Sequence, residues 1–261
     1  MDKNIFSEEN LSALHKCFIE AEPFPYLCID NFLEEELANS LSEHFPSLEA
    51  MNTIYHGINE NKGEHSSFEN LHHSFTILKQ QLLNDTFIQK IEKISGINNL
   101  EVIEDRYGSG LSQGGKGSFL DIHIDYNLHP VAKKQRRINL LIFLNKTWEK
   151  EWGGYLEFWD ASHTKCITSV EPRFNRCVIF ICNNISYHGY SIIKCPEYIT
   201  RKSFYLYFFS KPEKKLLYHD TVFTTAGNHK FIYKYRIIVK EFFKNSIKRI
   251  LYYSGLNKFL K

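Results

Sequence analysis

None of the six cysteines (Cys17, Cys28, Cys166, Cys177, Cys182, Cys195) forms a CxxC pair, which leaves free thiols in a reducing compartment as the expectation. No apolar run reaches the length of a membrane span, so a transmembrane helix is excluded. The opening Met1-Asp2-Lys3-Asn4 leads into polar Ser7-Glu8-Glu9-Asn10 rather than an apolar segment, so no secretory signal is read and a cytoplasmic chain is expected. Net charge is only +2, from 32 Lys+Arg against 30 Asp+Glu, which advertises no polyanion and argues against a nucleic-acid partner. There is no internal repeat and no low-complexity tract, and 261 residues suit one large domain with an added helical layer.

The aromatic share, in contrast, is high at 15% and favours a sheet-rich core. Helical periodicity covers 7–21, with Ser7 as N-cap, then 33–44, 67–83 and a short segment from Asp85, as its cap, to Gly96. A short strand is expected over 26–30, and the polar stretch 51–67 reads as a loop. From about Leu100 the pattern changes to short β-type runs at 100–107, 118–125, 137–144, 154–159, 165–170, 176–183 and 202–210. Many short strands without intervening helices predict an α+β chain whose core is a double-stranded β-helix, or jelly roll. N-terminal helices would pack on that core, and helical periodicity returns from Arg236 to Leu260 as a basic C-terminal helix. Three regions follow: 1–99 as helical support, 100–212 as the core and 213–261 as a basic amphipathic extension.

Chemistry concentrates at His123-x-Asp125. Two residues apart on a strand, their side chains share one face. With the distant His188 they supply two imidazoles and a carboxylate to one divalent metal and leave further positions open, the ligand set of non-haem Fe(II) sites. Thirteen residues beyond His188, Arg201 offers a planar fork suited to a carboxylate, followed by Ser203. The remaining histidines serve as controls. Neighbours His72 and His73 point about 100° apart on a helix, His129 belongs to a loop, and His163, His219 and His229 lack a carboxylate at ligand spacing.

Across roughly residues 23–212 the chain resembles the 2-oxoglutarate/Fe(II)-dependent dioxygenases, in their prolyl 4-hydroxylase-like branch. The motifs that carry the resemblance are Pro23-Phe-Pro-Tyr-Leu-Cys-Ile-Asp-Asn-Phe-Leu33, the HxD pair, Arg137-Ile-Asn-Leu-Leu-Ile-Phe-Leu-Asn145 with Trp148, Gly153-Gly154-Tyr-Leu-Glu157, His188 and Arg201-Lys-Ser203. The resemblance implies that His123, Asp125 and His188 bind Fe(II). It places the distal carboxylate of 2-oxoglutarate on Arg201 and Ser203, and sets Asn139, Leu141 and Phe143 toward the cosubstrate. Tyr205 and Tyr207 continue that inward face. Relatives often carry a tyrosine about ten residues before the first histidine; Gln113 stands here instead and would take its place. The implied reaction is hydroxylation of an unactivated C–H bond with O₂, as 2-oxoglutarate is converted to succinate and CO₂, with ascorbate an optional addition.

Two substrate classes fit the resemblance: a prolyl residue in a protein, or a glycan or small-molecule intermediate. The segments Asp125-Tyr-Asn-Leu-His-Pro130 and Arg136 to Asn145 resemble bacterial-type oxygenases of the second kind. The alternatives are an inactive jelly-roll scaffold, against which the intact triad and Arg201 stand, and a cupin-type metal enzyme without 2-oxoglutarate. Trp148, Trp152 and Trp159 surround the Gly153-Gly154 turn and read as packing, with stacking on a planar ligand as the alternative. Lys133, Lys134, Arg136 and Arg137 read as a basic loop, able to attract an anion or simply solvated; Asn127 and His129 lie near the substrate. The segment 211–261 carries 12 Lys+Arg against 3 Asp+Glu. Its helix, 231–260, would pack its apolar side on the core or contact a membrane surface peripherally.

Overall fold

The computed structural model describes residues 5–225, 231–256 and 260. The opening Met1–Asn4, His229 and the stretch 257–259 of the expected C-terminal helix lie outside the described residues.

Four helices open the chain. Ser7 caps α1 (Glu8–Ile19), its side chain accepting from the Asn10 amide, and Glu8 and Glu9 complement the positive end of the helix. Helices α2 (Glu35–Glu43), α3 (His73–Leu82) and α4 (Asp85–Ser95) follow. Asn84, rather than Asp85, caps α4 by accepting from Thr86, and Gly96 ends it at φ +71°. Phe6, Phe32 and Phe87 meet edge to face and join the two ends of this layer.

The strands form one curled antiparallel sheet. Its larger half runs β1 (Tyr26–Ile29), β10 (Cys177–Ile181), β7 (Gln135–Phe143), β12 (Arg201–Ser210), β5 (Ser109–Gly114). Strand β3 (Glu60–His65) pairs with both β5 and β6 (Phe119–Ile124), and so rolls the sheet over itself. The smaller half continues β6, β11 (His188–Tyr190), β8 (Leu156–Trp159), β9 (Cys166–Val170). Short strands β2 (Thr53–His56), β4 (Glu101–Val102) and β13 (Val222–Phe223) add to β3, β12 and β6 respectively. This is the expected jelly-roll α+β arrangement.

Alternation divides the core in two. Leu140, Ile142, Phe204, Leu206 and Phe208 pack outward against the helices, whereas Phe143, Phe158, Val178 and Phe180 fill the space between the sheet halves. Cys177 and Cys182 are buried, and all six cysteines are free thiols. Asn175 ties the layers together: its side chain accepts from Leu33 N and donates to Leu33 O, at 2.9 and 2.8 Å.

Several expectations change. The stretch 51–67 is not a loop but a hairpin, β2–β3, whose Gly63 is required because a Cβ there would lie 2.8 Å from Met51. The expected helix from Ser67 begins as a 3₁₀ turn, Phe68–Asn70, before α3. Only Glu101–Val102 of 100–107 is strand, and the glycine-rich Ser109–Gly114 is a full strand rather than punctuation. Because β3 lies within 1–99 and β13 within 213–261, the jelly-roll sheet draws on all three expected regions.

The last helix, α5 (Phe231–Tyr253), departs most. Its inward residues are Ile237, Glu241, Asn245 and Tyr252. The aromatic and aliphatic residues Tyr235, Phe242, Phe243, Ile247 and Ile250 face solvent, so the expected packing of its apolar side on the core does not occur. Polar bonds hold the helix instead: Glu241 accepts from the Phe223 amide, and Asn245 Oδ1 accepts from the Asp220 amide.

Candidate metal centre

The pairing of β6 with β11 sets His188 directly opposite His123, so residues 65 positions apart share one face. Asp125 follows two residues after His123. One ligand atom from each of the three lies within 4.8 Å of the others. His123 Nε2 is 3.7 Å from Asp125 Oδ1, and His188 Nε2 is 3.8 Å from Oδ2.

Both rings are fixed in one tautomer. His123 Nδ1 contacts the Asp121 carbonyl at 2.8 Å, and His188 Nδ1 contacts the Ser186 carbonyl at 2.9 Å. Carbonyl oxygens only accept, so each Nδ1 carries the proton and each Nε2 turns a lone pair toward the cluster. Burial pushes the His188 imidazole down to about 4, with His123 adding to the effect. Burial is the largest single influence on Asp125 and opposes its ionisation, but the Arg136 guanidinium and the two histidines together overcome it and hold the carboxyl well below its usual range. The donor set is thus two imidazoles and a carboxylate, which suits a divalent iron.

A second group around Arg201 is built from β12, β7 and the Gly153-Gly154 turn. Ser203 opposes Phe143, Tyr205 opposes Leu141 and Tyr207 opposes Asn139, so these six share a face with Arg201. Asn139 Nδ2 reaches Asp125 Oδ2 at 3.3 Å. Arg201 is buried, its Nε donating to the Gly154 carbonyl at 2.7 Å, and the Phe143 and Tyr190 rings flank its guanidinium. No carboxylate pairs with it among the described residues, and burial pulls it down to about 10. Gly154 sits at φ +66°, where a Cβ would meet Ile193 at 2.8 Å and the Trp148 ring at 3.3 Å. The double glycine therefore lets the turn close over the arginine. Trp148 donates Nε1–H to the Gly153 carbonyl and meets Trp152 edge to face, so these two rings brace the turn.

Gln113 does not join this group. It opposes Lys202 and Gly63, on the sheet face that carries Phe204 and Leu111, and donates to Thr200 Oγ1 at 2.8 Å.

Residues 108–209 match the family model described as the 2OG-Fe(II) oxygenase superfamily. That stretch runs through the sheet from β5 to β12, and the chain is similar to the family there. Enzymes of this superfamily use Fe(II), 2-oxoglutarate and O₂, and the fold of this chain is similar to that of prolyl 4-hydroxylases. A prolyl-4-hydroxylase from Pseudomonas putida is similar with TM-score 0.54 at 16% identity, over 76% of this chain and 99% of that one. A Trichoplax adhaerens prolyl hydroxylase, in complex with a hypoxia inducible factor peptide fragment, gives 0.57 at 17%, over 77% and 91%. HygX from Streptomyces hygroscopicus, with nickel, 2-oxoglutarate and hygromycin B bound, gives 0.51 at 14%, over 86% and 97%. No curated protein matches the chain in sequence.

A cleft of about 680 Å³ opens onto His123 and Asp125, while Arg201 lies outside its lining. Five tyrosines line it (Tyr55, Tyr107, Tyr126, Tyr205, Tyr207), together with Phe223. Glu60, Lys62, Glu64 and Asp220 add charge, and Lys240, Lys244 and Lys248 of α5 form one wall. Arg136 is the site residue that motif reasoning misses. It is not part of a solvated loop but buried, stacked between the Tyr126 and Tyr207 rings at 3.5 and 3.6 Å, with Nη1 2.8 Å from Asp125 Oδ2. Strict alternation from Asn139 would send Arg136 to the other face. The register shift opposite Phe208 and Phe209 removes that constraint. Asn127 and His129 turn elsewhere, Asn127 to Leu217 and His219 and His129 to Asp105.

Proposed function

We propose that this oxygenase is a hydroxylase in which His123, Asp125 and His188 hold Fe(II), and Arg201 with Ser203 receives the distal carboxylate of 2-oxoglutarate. The observation that carries the reading is Arg201 itself: a buried guanidinium, without a carboxylate partner among the described residues, on the face that leads to the triad. A buried cation of this kind is stabilised by an anion that comes from outside the chain.

The bound iron would supply activation of O₂ and oxidation of the substrate C–H bond. The protein's own residues would do the rest. Arg136 and Asn139 occupy Asp125 Oδ2 and leave Oδ1 to a metal. Phe143 and Tyr190 exclude water around the Arg201 fork, so a dicarboxylate that enters would be desolvated and oriented by it. Residues 100–212 would hold iron and cosubstrate, 1–99 would support them, and 213–261 would close the cleft with Lys240, Lys244 and Lys248.

For the substrate, the cleft lining favours a hydroxylated small molecule or glycan over a prolyl residue. Tyrosine faces and edges, alternating with paired carboxylates and ammonium groups, suit a sugar's apolar faces and hydroxyls. HygX has hygromycin B bound, whereas the Trichoplax enzyme has a peptide, so both classes occur on this fold. The compartment proposed is the cytoplasm, with contact to a membrane surface through 231–260; no described helix is long and apolar enough to cross a membrane.

Anaerobic addition of Fe(II) and 2-oxoglutarate should give the weak visible charge-transfer band of a chelated 2-oxo acid, and its absence from the wild type would sink this reading. Arg201→Ala should raise the 2-oxoglutarate requirement by at least tenfold and leave iron affinity within about twofold, the loss of a charge-assisted pair being roughly 1.5–3 kcal/mol. Mass gain of one oxygen across a panel of glycosides and prolyl peptides would decide the substrate class.

A further inference from the structure

The outward face of α5 is apolar where a surface helix is ordinarily polar. Phe242, Phe243, Ile247 and Ile250 are 57–68% exposed, and Tyr235 and Tyr253 extend the same side. The side facing the protein carries Glu241, Asn245, Lys244 and Lys248, bound through Asp220, Thr221 and Phe223. Hydrophobic burial against the core therefore cannot be why the outward residues are apolar; burial of that face requires something outside the chain.

The charge along the helix narrows the occupant. From Tyr233 to Tyr253 the only carboxylate is Glu241, which is buried and paired with Lys244, against six Lys and Arg. Arg236 and Lys240 are exposed and Arg249 half-exposed, flanking the aromatic stripe with no acid among them. A second copy of the chain would set these cations against their own equivalents, which disfavours a self-paired face. An apolar stripe of Phe, Ile and Tyr with cationic flanks is the chemistry of a helix lying in the plane of an anionic lipid surface.

We infer that α5 docks this oxygenase onto an anionic bilayer through Tyr235, Phe242, Phe243, Ile247, Ile250 and Tyr253, with Arg236 and Arg249 on phospholipid headgroups. This develops the membrane contact proposed above and stands independently of the iron chemistry. Because Lys240, Lys244 and Lys248 of the same helix wall the cleft, docking would bring the cleft entrance to within about one helix diameter, roughly 10 Å, of the lipid. A substrate anchored in that surface would then reach the site without leaving it.

The test uses the full chain with phosphatidylcholine vesicles, with and without phosphatidylglycerol, in a flotation assay. Binding should be tighter by roughly 25-fold on the anionic vesicles, since Arg236 and Arg249 each contribute roughly a factor of five, and should weaken as salt rises. Phe242→Ser with Ile250→Ser should weaken binding by more than tenfold, while the unfolding transition and the charge-transfer band with Fe(II) and 2-oxoglutarate stay as in the wild type. No flotation of the wild type, or equal flotation on neutral vesicles, would overturn the proposal. So would a wild-type dimer that the double substitution converts to monomer, because the face would then belong to a second copy. Flotation without the charge-transfer band would sink the iron assignment and leave the docking intact.

Discussion

Arg136 Nη1 lies 2.8 Å from Asp125 Oδ2, with the guanidinium stacked between the Tyr126 and Tyr207 rings. The pair bears on how the proposed metal ligand behaves, because burial alone would favour its protonated form and the guanidinium is the largest of the influences that together reverse that preference. Arg136→Met keeps the stem and removes the charge, leaving Asp125 buried without its cation. The expected cost is about 3–5 kcal/mol in chemical denaturation, together with weaker iron binding. A loss below about 1 kcal/mol would mean that the ion pair is incidental.

Tyr205 and Gly110 are related by contact. A Cβ on Gly110 would sit 2.5 Å from the Tyr205 hydroxyl and 2.7 Å from its ring carbon. Gly110→Ala should therefore cost about 1–3 kcal/mol by overpacking, and much of that should be recovered in a Tyr205→Leu background. Thermal unfolding of the two single variants and the double variant measures the coupling. Strictly additive effects would show that the alanine is resisted elsewhere.

The Gly153-Gly154 turn makes a different demand. Gly154→Ala meets both a positive φ and the Ile193 side chain, so a loss of about 1–3 kcal/mol is expected. The Gly154 carbonyl also holds Arg201 Nε, so the 2-oxoglutarate requirement should rise without a matching change in iron affinity. Isothermal titration with each ligand checks the split. Equal loss of both affinities would point to general loosening of the core.

Legibility from sequence varied with how local the cause was. Ser7 marked the start of α1 and Gly96 the end of α4 because each acts within its own turn, whereas the α4 cap falls on Asn84, one residue before the expected Asp85. The clustering of His123, Asp125 and His188 was legible because the HxD spacing and neighbouring strand ends frame it. What escaped depends on distant pairing. Ser109–Gly114 looks like turn chemistry, yet it is a strand because β12 and β3 supply partners and Tyr205 needs the missing Cβ. Gln113 falls on the outer face through the same register. Arg136 enters the site only because of a register shift in a neighbouring strand. The inverted α5 follows from hydrogen bonds of Glu241 and Asn245 to a loop far away in sequence, which hydrophobic periodicity does not report.

Acid stability should depend on Asp30, where β1 ends. Its carboxylate contacts Arg176 Nε at 2.6 Å and Arg173 Nη1 at 3.3 Å, and the Arg176 hydrogen bond holds its pKa below the ordinary value. A depressed folded-state value means that the contribution is present above the unfolded pKa of about 3.9 and is lost as pH falls through the folded value. Asp30→Asn should therefore lower the denaturation midpoint near neutrality, with the variant and wild-type curves converging as pH falls through the depressed folded-state value. Parallel curves over the whole range would remove Asp30 from the acid response. The pair is partly exposed, so raising salt should shrink the difference.

Metal addition separates a ligand from a merely structural residue. A divalent ion that binds only the folded protein stabilises it by about 2.7 kcal/mol at a hundredfold excess over its Kd, a rise of several degrees in Tm for a chain of this size. Anaerobic Fe(II), or Mn(II) as a redox-inert substitute, should produce that rise in the wild type, and a chelator should reverse it. In His188→Ala the rise should disappear. Arg136 complicates Asp125→Ala, because removal of the carboxylate strands a buried cation and lowers the metal-free Tm by itself. The informative quantity is therefore the increment on adding metal, not the absolute Tm. An Asp125→Ala protein that unfolds early but still gains the full increment would place the metal elsewhere; loss of the increment in both variants is what the cluster of His123, Asp125 and His188 predicts.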